Sequence, residues 1–294
     1  MARRRLPPDA VGAPLTRAEL LTCVTRAQLA GPSFRRLTRG VHVSSCTLVD
    51  HGVRARGALL AVRGRAVLGG LSAAWAYGVR EAGDDDPVLL LAPRPAPRCR
   101  TGVVVRQCTL DPGDVVTTRL GRVTSPARTV VDLLRTLDMP RALCAAEAVA
   151  HRTRLTRAHV DAELHRQRGA RGLAAARRRA RQLEPMAESY RETLLRLVVA
   201  EAGLPPCVVQ HEVHDEEALF VARLDLAWPA VRVALEYDGD HHRDRAQHSA
   251  DLARHNRLRR LGWTVLQVDA RMLEDPRELL HQLRQLLESD GAQD

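Results

Sequence analysis

The sequence predicts an α/β protein, α+β overall, built from two modules. At 294 residues the chain is long for a single hydrophobic core, so we expect two domains. The charge also changes sign along the chain. Residues 1–185 contain 32 arginines and 15 acidic residues, a net charge of +17, whereas residues 186–294 contain 13 and 20, a net charge of −7. A basic module followed by an acidic one favours a polyanion-binding part joined to a part with a cation site.

The N-terminal segment predicts a tail, two short helices and a strand. Residues 1–14 are rich in Arg and Pro and are expected to be disordered. Thr16 stands three residues before Glu19, a capping box that opens a short helix, and a second capped turn follows. Residues 34–43 then lead through a basic connector into a strand. Over residues 15–45 this order is typical of a small winged helix, and a helical hairpin with an Arg-rich surface is the alternative.

Residues 46–185 continue the basic module as an α+β region. A helical stretch is expected over residues 47–80, and strands are expected within residues 87–120. Further helices are expected over residues 124–135, 141–150 and 157–165. The arginine-rich run from 168 to 181 is interpreted as a solvated connector, with a phosphate-binding helix as the alternative. We place the boundary between the modules at 185/186.

Residues 186–294 predict a helix, a three-strand meander, a helix, a strand and a closing helix. The predicted helices cover residues 188–202, 243–261 and 276–287, and the predicted strands cover 207–214, 219–227, 231–237 and 263–268. The second and third strands are joined by the short link Trp228-Pro229-Ala230, so we expect them to form a hairpin. The module should therefore contain a central mixed sheet of about four strands.

Two of these strands deliver carboxylates to the same end of the sheet. Asp225 interrupts an otherwise apolar strand, Glu236 and Asp238 close the next one, and two histidines, including His242, follow at once. A carboxylate in an apolar strand is costly to bury unless it is paired or metal-bound. Hard oxygen ligands near a histidine are what a Mg²⁺- or Mn²⁺-dependent phosphodiesterase uses. The alternatives are a salt bridge from Asp225 to an arginine and a simple turn at Asp238.

These residues have distinct expected roles. Asp225 and Glu236 are the expected ligands of one divalent cation, with the Tyr237 carbonyl as a third ligand. His242 is the expected base or water-positioning group near neutral pH, and an uninvolved loop histidine is the alternative.

Three further residues are candidates around the same site. Glu192 on the opening helix is expected to face the cation through water, and a helix-face pair with Arg196 is the alternative. Gln210 is a polar residue on the first strand that can contribute one contact. Arg254 is expected to contact a phosphate, and an i,i+3 pair with Asp251 is the alternative.

The ordered set of motifs resembles the PD-(D/E)XK restriction-endonuclease-like superfamily. Within it, the sequence is most similar to the family called domain of unknown function 559, related to the very-short-patch-repair mismatch endonuclease. The motifs lie within about residues 186–290 and are Glu192, Asp225, Glu236-Tyr237-Asp238-Gly239 with His242, Asp251 with Arg254, and a Leu-to-Gly-Trp-x-Val run over 258–265. The resemblance implies a restriction-endonuclease-like fold, hydrolysis of DNA phosphodiester bonds and a requirement for Mg²⁺ or Mn²⁺.

The chain departs from that superfamily at one position. Asp238 stands where the superfamily usually carries a lysine, and all 45 basic side chains counted as Lys or Arg are arginines. Asp238 is kept among the expected catalytic residues, and His242 is the candidate for the role of the lysine.

The N-terminal region has its own resemblance. Residues 15–43, together with Ser125-Pro126-Ala127-Arg128-Thr129, resemble the winged-helix antitoxin domain of AbiEi-type abortive-infection proteins. That resemblance implies binding to double-stranded DNA, with Arg35, Arg36 and Arg39 as the expected contacts. It leaves open whether a toxin partner exists.

Composition narrows the remaining classes. No apolar run is long enough to span a membrane, and no apolar segment follows the Arg-rich N-terminus as in a signal peptide. The six cysteines are scattered and are expected to be reduced thiols in the cytoplasm. With only eight aromatic residues, the chain is unlike proteins that bind RNA on a base-stacking platform.

Together, the motifs and the charge distribution predict a divalent-metal-dependent DNA endonuclease targeted by the basic module. The alternative is a DNA-binding, antitoxin-type transcriptional regulator with an inactive nuclease fold.

Overall fold

The computed structural model describes residues 12–97, 102–187, 189–238 and 245–289. Helices and three sheets alternate along these residues, which confirms the predicted α+β class. The chain forms two compact units. The first comprises Met1–Leu137 and Arg152–Arg181, and the second comprises Asp138–His151 and Gln182–Asp294. The chain passes from the first unit to the second for the last time at 181/182, and the sequence boundary was placed at 185/186.

The first unit begins with a small antiparallel sheet and two capped helices. The elements are β1 (Leu15–Thr16), α1 (Arg17–Leu21), α2 (Arg26–Ala30), β2 (Phe34–Thr38) and β3 (Val41–Ser44), with strand order β1-β3-β2. Both helices start in capping boxes, because Thr16 accepts the Glu19 N–H and Thr25 accepts the Gln28 N–H, each at 3.2 Å. The segment interpreted as a basic connector is itself a strand, since β2 pairs with β3.

A five-stranded sheet and its helices complete most of the first unit. The elements are α3 (His51–Ala61), β4 (Val67–Leu68), α4 (Gly70–Ala76), β5 (Val88–Ala92), β6 (Val103–Gln107), β7 (Val115–Thr118), β8 (Gly121–Thr124) and α5 (Pro126–Thr136). The strand order is β6-β5-β4-β8-β7. The stretch expected to be helical over 47–80 is interrupted by β4, because Val67 and Leu68 are buried and pair with Leu91 and Leu90. Tertiary pairing here overrides local helix preference.

Three helices follow, and two of them differ from the sequence interpretation. They are α6 (Arg141–Thr153), α7 (Arg157–Arg166) and α8 (Leu173–Ala180). The arginine-rich run is not a solvated connector, because α8 buries Leu173 and Ala176 and the Arg179 guanidinium donates to the Leu134 and Leu137 carbonyls at 2.6 Å. Most of α6 belongs to the second unit, where the fully buried Glu147 accepts from Arg196 at 2.5 Å.

The second unit contains the predicted four-stranded mixed sheet. Its further elements are α9 (Tyr190–Glu201), β9 (Val208–His214), β10 (Phe220–Trp228), β11 (Val233–Tyr237), α10 (Arg245–Arg260), β12 (Thr264–Val268), α11 (Ala270–Glu274) and α12 (Arg277–Ser289). The order is β12-β11-β10-β9. β11 and β12 are parallel, and the other pairs are antiparallel. The short helix α11 was not predicted.

Alternation along the central strands builds two cores in this unit. Leu226 and Leu235 point to one face, where they pack with Leu195 of α9 and Leu283 of α12. Their neighbour Ala234 points to the other face, toward a cluster that contains Leu258 of α10 and Trp263. The sheet is therefore covered on both faces. Within the described ranges, no helix combines the length and apolarity needed to cross a membrane.

Candidate functional site

The candidate site lies where the ladder between β10 and β11 ends. Paired residues run from Trp228 with Val233 to Leu226 with Leu235, and Asp225 and Glu236 are the next residues on the two strands. Asp225 Oδ2 accepts the Tyr237 N–H at 2.9 Å. A side-chain carboxylate thus takes the part that a backbone carbonyl plays within the ladder, which fixes the Asp225 carboxylate where the pairing of β10 with β11 ends.

A third carboxylate reaches the same place from α9. Glu192 lies in the first turn of that helix, whose N-cap Ser189 accepts the Glu192 N–H at 3.1 Å. The Gln210 amide nitrogen donates to Glu192 Oε2 at 2.8 Å and to Asp225 Oδ1 at 3.2 Å. Glu192, which was expected to face a cation through water, therefore shares one amide nitrogen with Asp225. The alternative partner, Arg196, donates to Glu147 instead.

Glu236 is engaged by a bidentate ion pair. Arg254 of α10 donates from Nη1 to Glu236 Oε1 at 2.7 Å and from Nη2 to Glu236 Oε2 at 3.0 Å. Glu236 is only 7% exposed, so the pair is largely desolvated on the carboxylate side. His255 Nε2 lies 3.6 Å from Glu236 Oε2 and 3.0 Å from the Gln267 amide nitrogen. Arg254, expected at a phosphate, thus has both terminal nitrogens on a carboxylate.

Burial and neighbouring charges shift the pKa values of two groups in the cluster. Burial first, and then the charges of Glu192 and Glu236, raise the pKa of Asp225, while the hydrogen bonds from Tyr237 and Gln210 oppose the rise, and the resulting pKa is about 6. Burial lowers the pKa of Arg254, but its pairing with Glu236 prevails and leaves the pKa above the ordinary value. The Arg254 guanidinium therefore pairs with one of the three carboxylates that gather here.

The donor chemistry at this strand end fits a hard divalent cation only in part. Carboxylates of Asp225, Glu192 and Glu236 are the ligand type that Mg²⁺ and Mn²⁺ prefer. Among the described residues, however, no three His, Cys, Asp or Glu side chains are arranged to hold an ion. The hydrogen bonds give a physical reason, because Arg254 occupies both oxygens of Glu236. Both Asp225 oxygens also accept hydrogen bonds, from Gln210 and from the Tyr237 N–H, so a cation would have to displace Arg254 and share Asp225 with these donors.

The other predicted site residues on or after β11 are Tyr237, Asp238 and His242. The backbone N–H of Asp238 donates to the Val268 carbonyl at 2.9 Å, next to the pairing of Tyr237 with Val268. The Tyr237 ring lies under the Arg191 guanidinium, with 6.0 Å between the guanidinium carbon and the ring centre. His242 lies outside the described residues.

The arginines expected at DNA lie on or beside β2 in the first unit. Arg35 Nη2 donates to the Thr47 carbonyl at 2.5 Å, and Arg36 Nε donates to the Thr38 carbonyl at 3.3 Å. Arg39 follows in the turn between β2 and β3 and is exposed. The first two side chains are thus oriented by backbone carbonyls along one edge of the small sheet.

Two residues of the site received little or no weight from the sequence. Gln210 bridges two of the carboxylates. The sequence could have pointed to it only through the register of β9 against β10, which places Gln210 opposite Asp225. His255 approaches Glu236, and no motif marked it, because its role depends on how α10 packs against β11.

Comparisons with known proteins identify relatives without a described activity. No protein-family model matches the chain. Two proteins of Mycobacterium tuberculosis, "Uncharacterized protein MT2308" of strain CDC 1551 / Oshkosh and "Uncharacterized protein Rv2248" of strain H37Rv, are each 36% identical over 146 residues. The match covers 49% of this chain, and the chain spans about half (54%) of the length of these curated relatives.

One solved structure shows a distant likeness. The crystal structure of the RV2827C protein from Mycobacterium tuberculosis is 15% identical and is matched over 74% of this chain and 93% of its own, with a TM-score of 0.40. A likeness at that level carries no inference about this chain.

Proposed function

We propose that this chain is a divalent-metal-dependent DNA endonuclease targeted by its basic N-terminal module. The supporting observation is the convergence of Glu192, Asp225 and Glu236 at one strand end of the mixed sheet. Burial, together with the charges of Glu192 and Glu236, raises the pKa of Asp225 to about 6, so the neighbouring carboxylates disfavour the ionised form of Asp225. A bound cation relieves that kind of repulsion.

Each residue has a defined part in the proposal. Asp225 and Glu236 would hold Mg²⁺ or Mn²⁺, with the Tyr237 carbonyl as a further ligand and Glu192 facing the ion through water. A bound ion would supply Lewis-acid stabilisation of the phosphate and would lower the pKa of a bound water. Arg254, once it releases Glu236, is free to neutralise a phosphate oxygen of the substrate.

Two residues that follow β11 in the sequence complete the proposed site. Asp238 is included because it stands where the restriction-endonuclease-like superfamily usually carries its lysine. His242, outside the described residues, is the proposed base or water-positioning group.

The first unit is proposed to supply affinity for double-stranded DNA. Its arginine excess gives residues 1–185 a net charge of +17, which favours contact with a phosphate backbone. Arg35, Arg36 and Arg39 are the proposed contacts on and beside β2. A cytoplasmic location belongs to the same proposal, and the free thiols of Cys46, Cys108 and Cys207 are consistent with it.

A second function is favoured by one specific observation. Arg254 takes both oxygens of Glu236, and an ion pair of this kind can replace a metal ion in a fold that no longer cleaves DNA. The chain also has no lysine to take the usual superfamily role. The alternative is therefore a DNA-binding, antitoxin-type transcriptional regulator in which the nuclease fold binds or supports but does not hydrolyse.

Plasmid cleavage separates the two functions. Supercoiled and linear duplex DNA are incubated with Mg²⁺ or Mn²⁺ and with wild-type protein, Asp225→Asn or Glu236→Gln. Glu212→Gln is the matched control, because Glu212 lies on β9 with its side chain 57% exposed. The nuclease proposal expects metal-dependent nicking that both site variants lose and the control keeps. Salt-sensitive DNA binding without cleavage under any metal would contradict it and support the regulator.

A further inference from the structure

The arginine-rich run of the first unit forms a helix whose two faces differ in chemistry. Helix α8 buries Leu173 and Ala176 on one face. Arg177 and Arg178 lie on the other face and are exposed, and the exposed Arg181 follows at the C-cap with a helical backbone. Arg181 is three and four residues after the other two arginines, so the three side chains are neighbours on one surface. We call these three residues the α8 arginine face.

The helix is secured at both ends, so this face has a fixed backbone. At the C-terminal end, Arg179 donates from Nη1 to the Leu134 and Leu137 carbonyls, both at 2.6 Å. These carbonyls lie at the C-terminus of α5, where a cation also complements the helix dipole. At the N-terminal end, Gly172 has a φ of +82°, and a Cβ at that position would lie 3.0 Å from the Arg135 carbonyl oxygen. One arginine of the run therefore anchors the helix and leaves its neighbours at the surface.

The α8 arginine face has no acidic neighbour along the chain. The sequence over 164–183 contains no aspartate and no glutamate. Within the part of the chain that the structure describes, the three guanidiniums also make no hydrogen bond and no ion pair. By contrast, Arg35 and Arg36 on β2 each donate to a backbone carbonyl. Like charges one helical turn apart repel each other, so the α8 arginine face is stabilised by an anion from outside.

A DNA duplex fits this face in charge density. The backbone positions of the three arginines span about 6 Å along the helix axis. A duplex carries one phosphate charge per ~1.7 Å of its axis, which places roughly three to four charges in the same length. Apart from Ala174, every exposed residue of α8 is an arginine, so the face offers no apolar side chain for a lipid surface and no ring for an unpaired base. The chemistry therefore favours the phosphates of a duplex.

We propose that the α8 arginine face is a second contact surface for double-stranded DNA, separate from the arginines on and beside β2, and that it binds the phosphate backbone without reading sequence. The inference rests on the proposed DNA binding by the first unit. It does not depend on whether the second unit cleaves DNA.

Two triple variants of equal net charge test the proposal. The site variant combines Arg177→Gln, Arg178→Gln and Arg181→Gln. Glutamine has a helix propensity close to that of arginine, so α8 is expected to persist. The matched control combines Arg65→Gln, Arg119→Gln and Arg122→Gln, which are exposed arginines of the same unit outside α8. Circular dichroism and thermal unfolding confirm that both proteins are folded.

Affinity for a fluorescent DNA duplex is then measured in EDTA over about 50–200 mM salt. The site variant should flatten the slope of log K against log salt by about 1 per arginine, or ~3 in total. Its affinity at about 0.1 M salt should fall roughly 10- to 100-fold, equally for duplexes of different sequence. The control should retain most of the wild-type slope and affinity.

The contrary results are distinct. A wild-type slope in the folded site variant would overturn the α8 arginine face and leave DNA binding through β2 standing. Equal losses in the site variant and the control would assign the effect to net charge and would also overturn it. Absence of duplex binding by the wild type would overturn both this inference and the proposed DNA binding. If the site variant lost affinity for duplex RNA or anionic lipid vesicles and kept its affinity for DNA, the choice of partner would be wrong.

Discussion

Removing Arg254 should destabilise the metal-free second unit by stranding Glu236. The change Arg254→Met keeps most of the aliphatic length of the side chain and deletes the guanidinium that donates to both Glu236 oxygens at 2.7 and 3.0 Å. Glu236 would then remain as a buried carboxylate without its bidentate partner, because its strand position on β11 gives it little access to water.

The geometry sets the size of the effect. Breaking a buried pair by removing one partner costs about 3–5 kcal/mol. Here the Arg254 side chain is 31% exposed and His255 lies 3.6 Å from Glu236, so screening and a substitute partner reduce the expected loss to about 2 kcal/mol. For a unit of this size, that loss corresponds to a fall in unfolding temperature of roughly 5–10 °C.

Urea unfolding in EDTA near neutral pH measures this loss. Trp228 and Trp263 report on the second unit, and a Trp75→Phe background shared by all variants silences the signal of the first. Arg257→Met is the matched control on the same helix, because its pair with Asp215 is at the surface.

A double variant isolates the stranded charge. Adding Glu236→Gln to Arg254→Met should recover much of the lost stability, because a neutral amide replaces the unpaired carboxylate. If Arg254→Met is as stable as wild type, or if the double variant is no better than the single one, the reasoning about a desolvated ion pair is refuted.

Three further outcomes are expected. Burial holds the pKa of Asp225 at about 6, above its ordinary value of 3.8, so its ionisation costs folded-state stability as pH rises through that window. Metal-free Asp225→Asn should therefore gain up to about 2–3 kcal/mol over wild type above pH ~6 and lose this advantage near pH ~4; an advantage independent of pH would contradict this. Glu147→Leu should destabilise the second unit by about 3 kcal/mol, because the buried Glu147 pairs with Arg196 at 2.5 Å, and an unchanged urea midpoint would show that the pair is dispensable. Arg36→Gln with Arg39→Gln should lower DNA affinity and flatten the slope of log K against log salt by about 1 per residue, and an unchanged slope in filter-binding assays would exclude both as phosphate contacts.

Periodicity predicted most of the second unit, because its elements bury one face along their length. The strands ending near His214, Trp228 and Tyr237 and the helix before Gly203 lie close to their predicted positions. The four-stranded mixed sheet follows from them. Short elements such as α11 and β4 escaped prediction, since two to five residues give too little pattern and their formation depends on pairing with distant segments.

The candidate site was predictable in its residues and less so in its contacts. Asp225 and Glu236 stood out as carboxylates in apolar strands, and the hairpin register brought them to one end. The pair between Glu236 and Arg254 and the bridge from Gln210 depend on how α10 and β9 approach the sheet, which periodicity does not encode. The same holds for α6, whose place in the second unit is set by tertiary contacts of Glu147.

The most direct measurement is a crystal structure of the full chain grown with Mn²⁺, with the ion located by its anomalous scattering. The proposal predicts a single peak within bonding distance of Asp225 and Glu236 oxygens, with Arg254 displaced from Glu236 and Gln210 still bonded to Glu192. A map without a peak at this strand end, in which Arg254 keeps both oxygens of Glu236 at saturating Mn²⁺, would contradict a metal-dependent nuclease and favour the DNA-binding regulator.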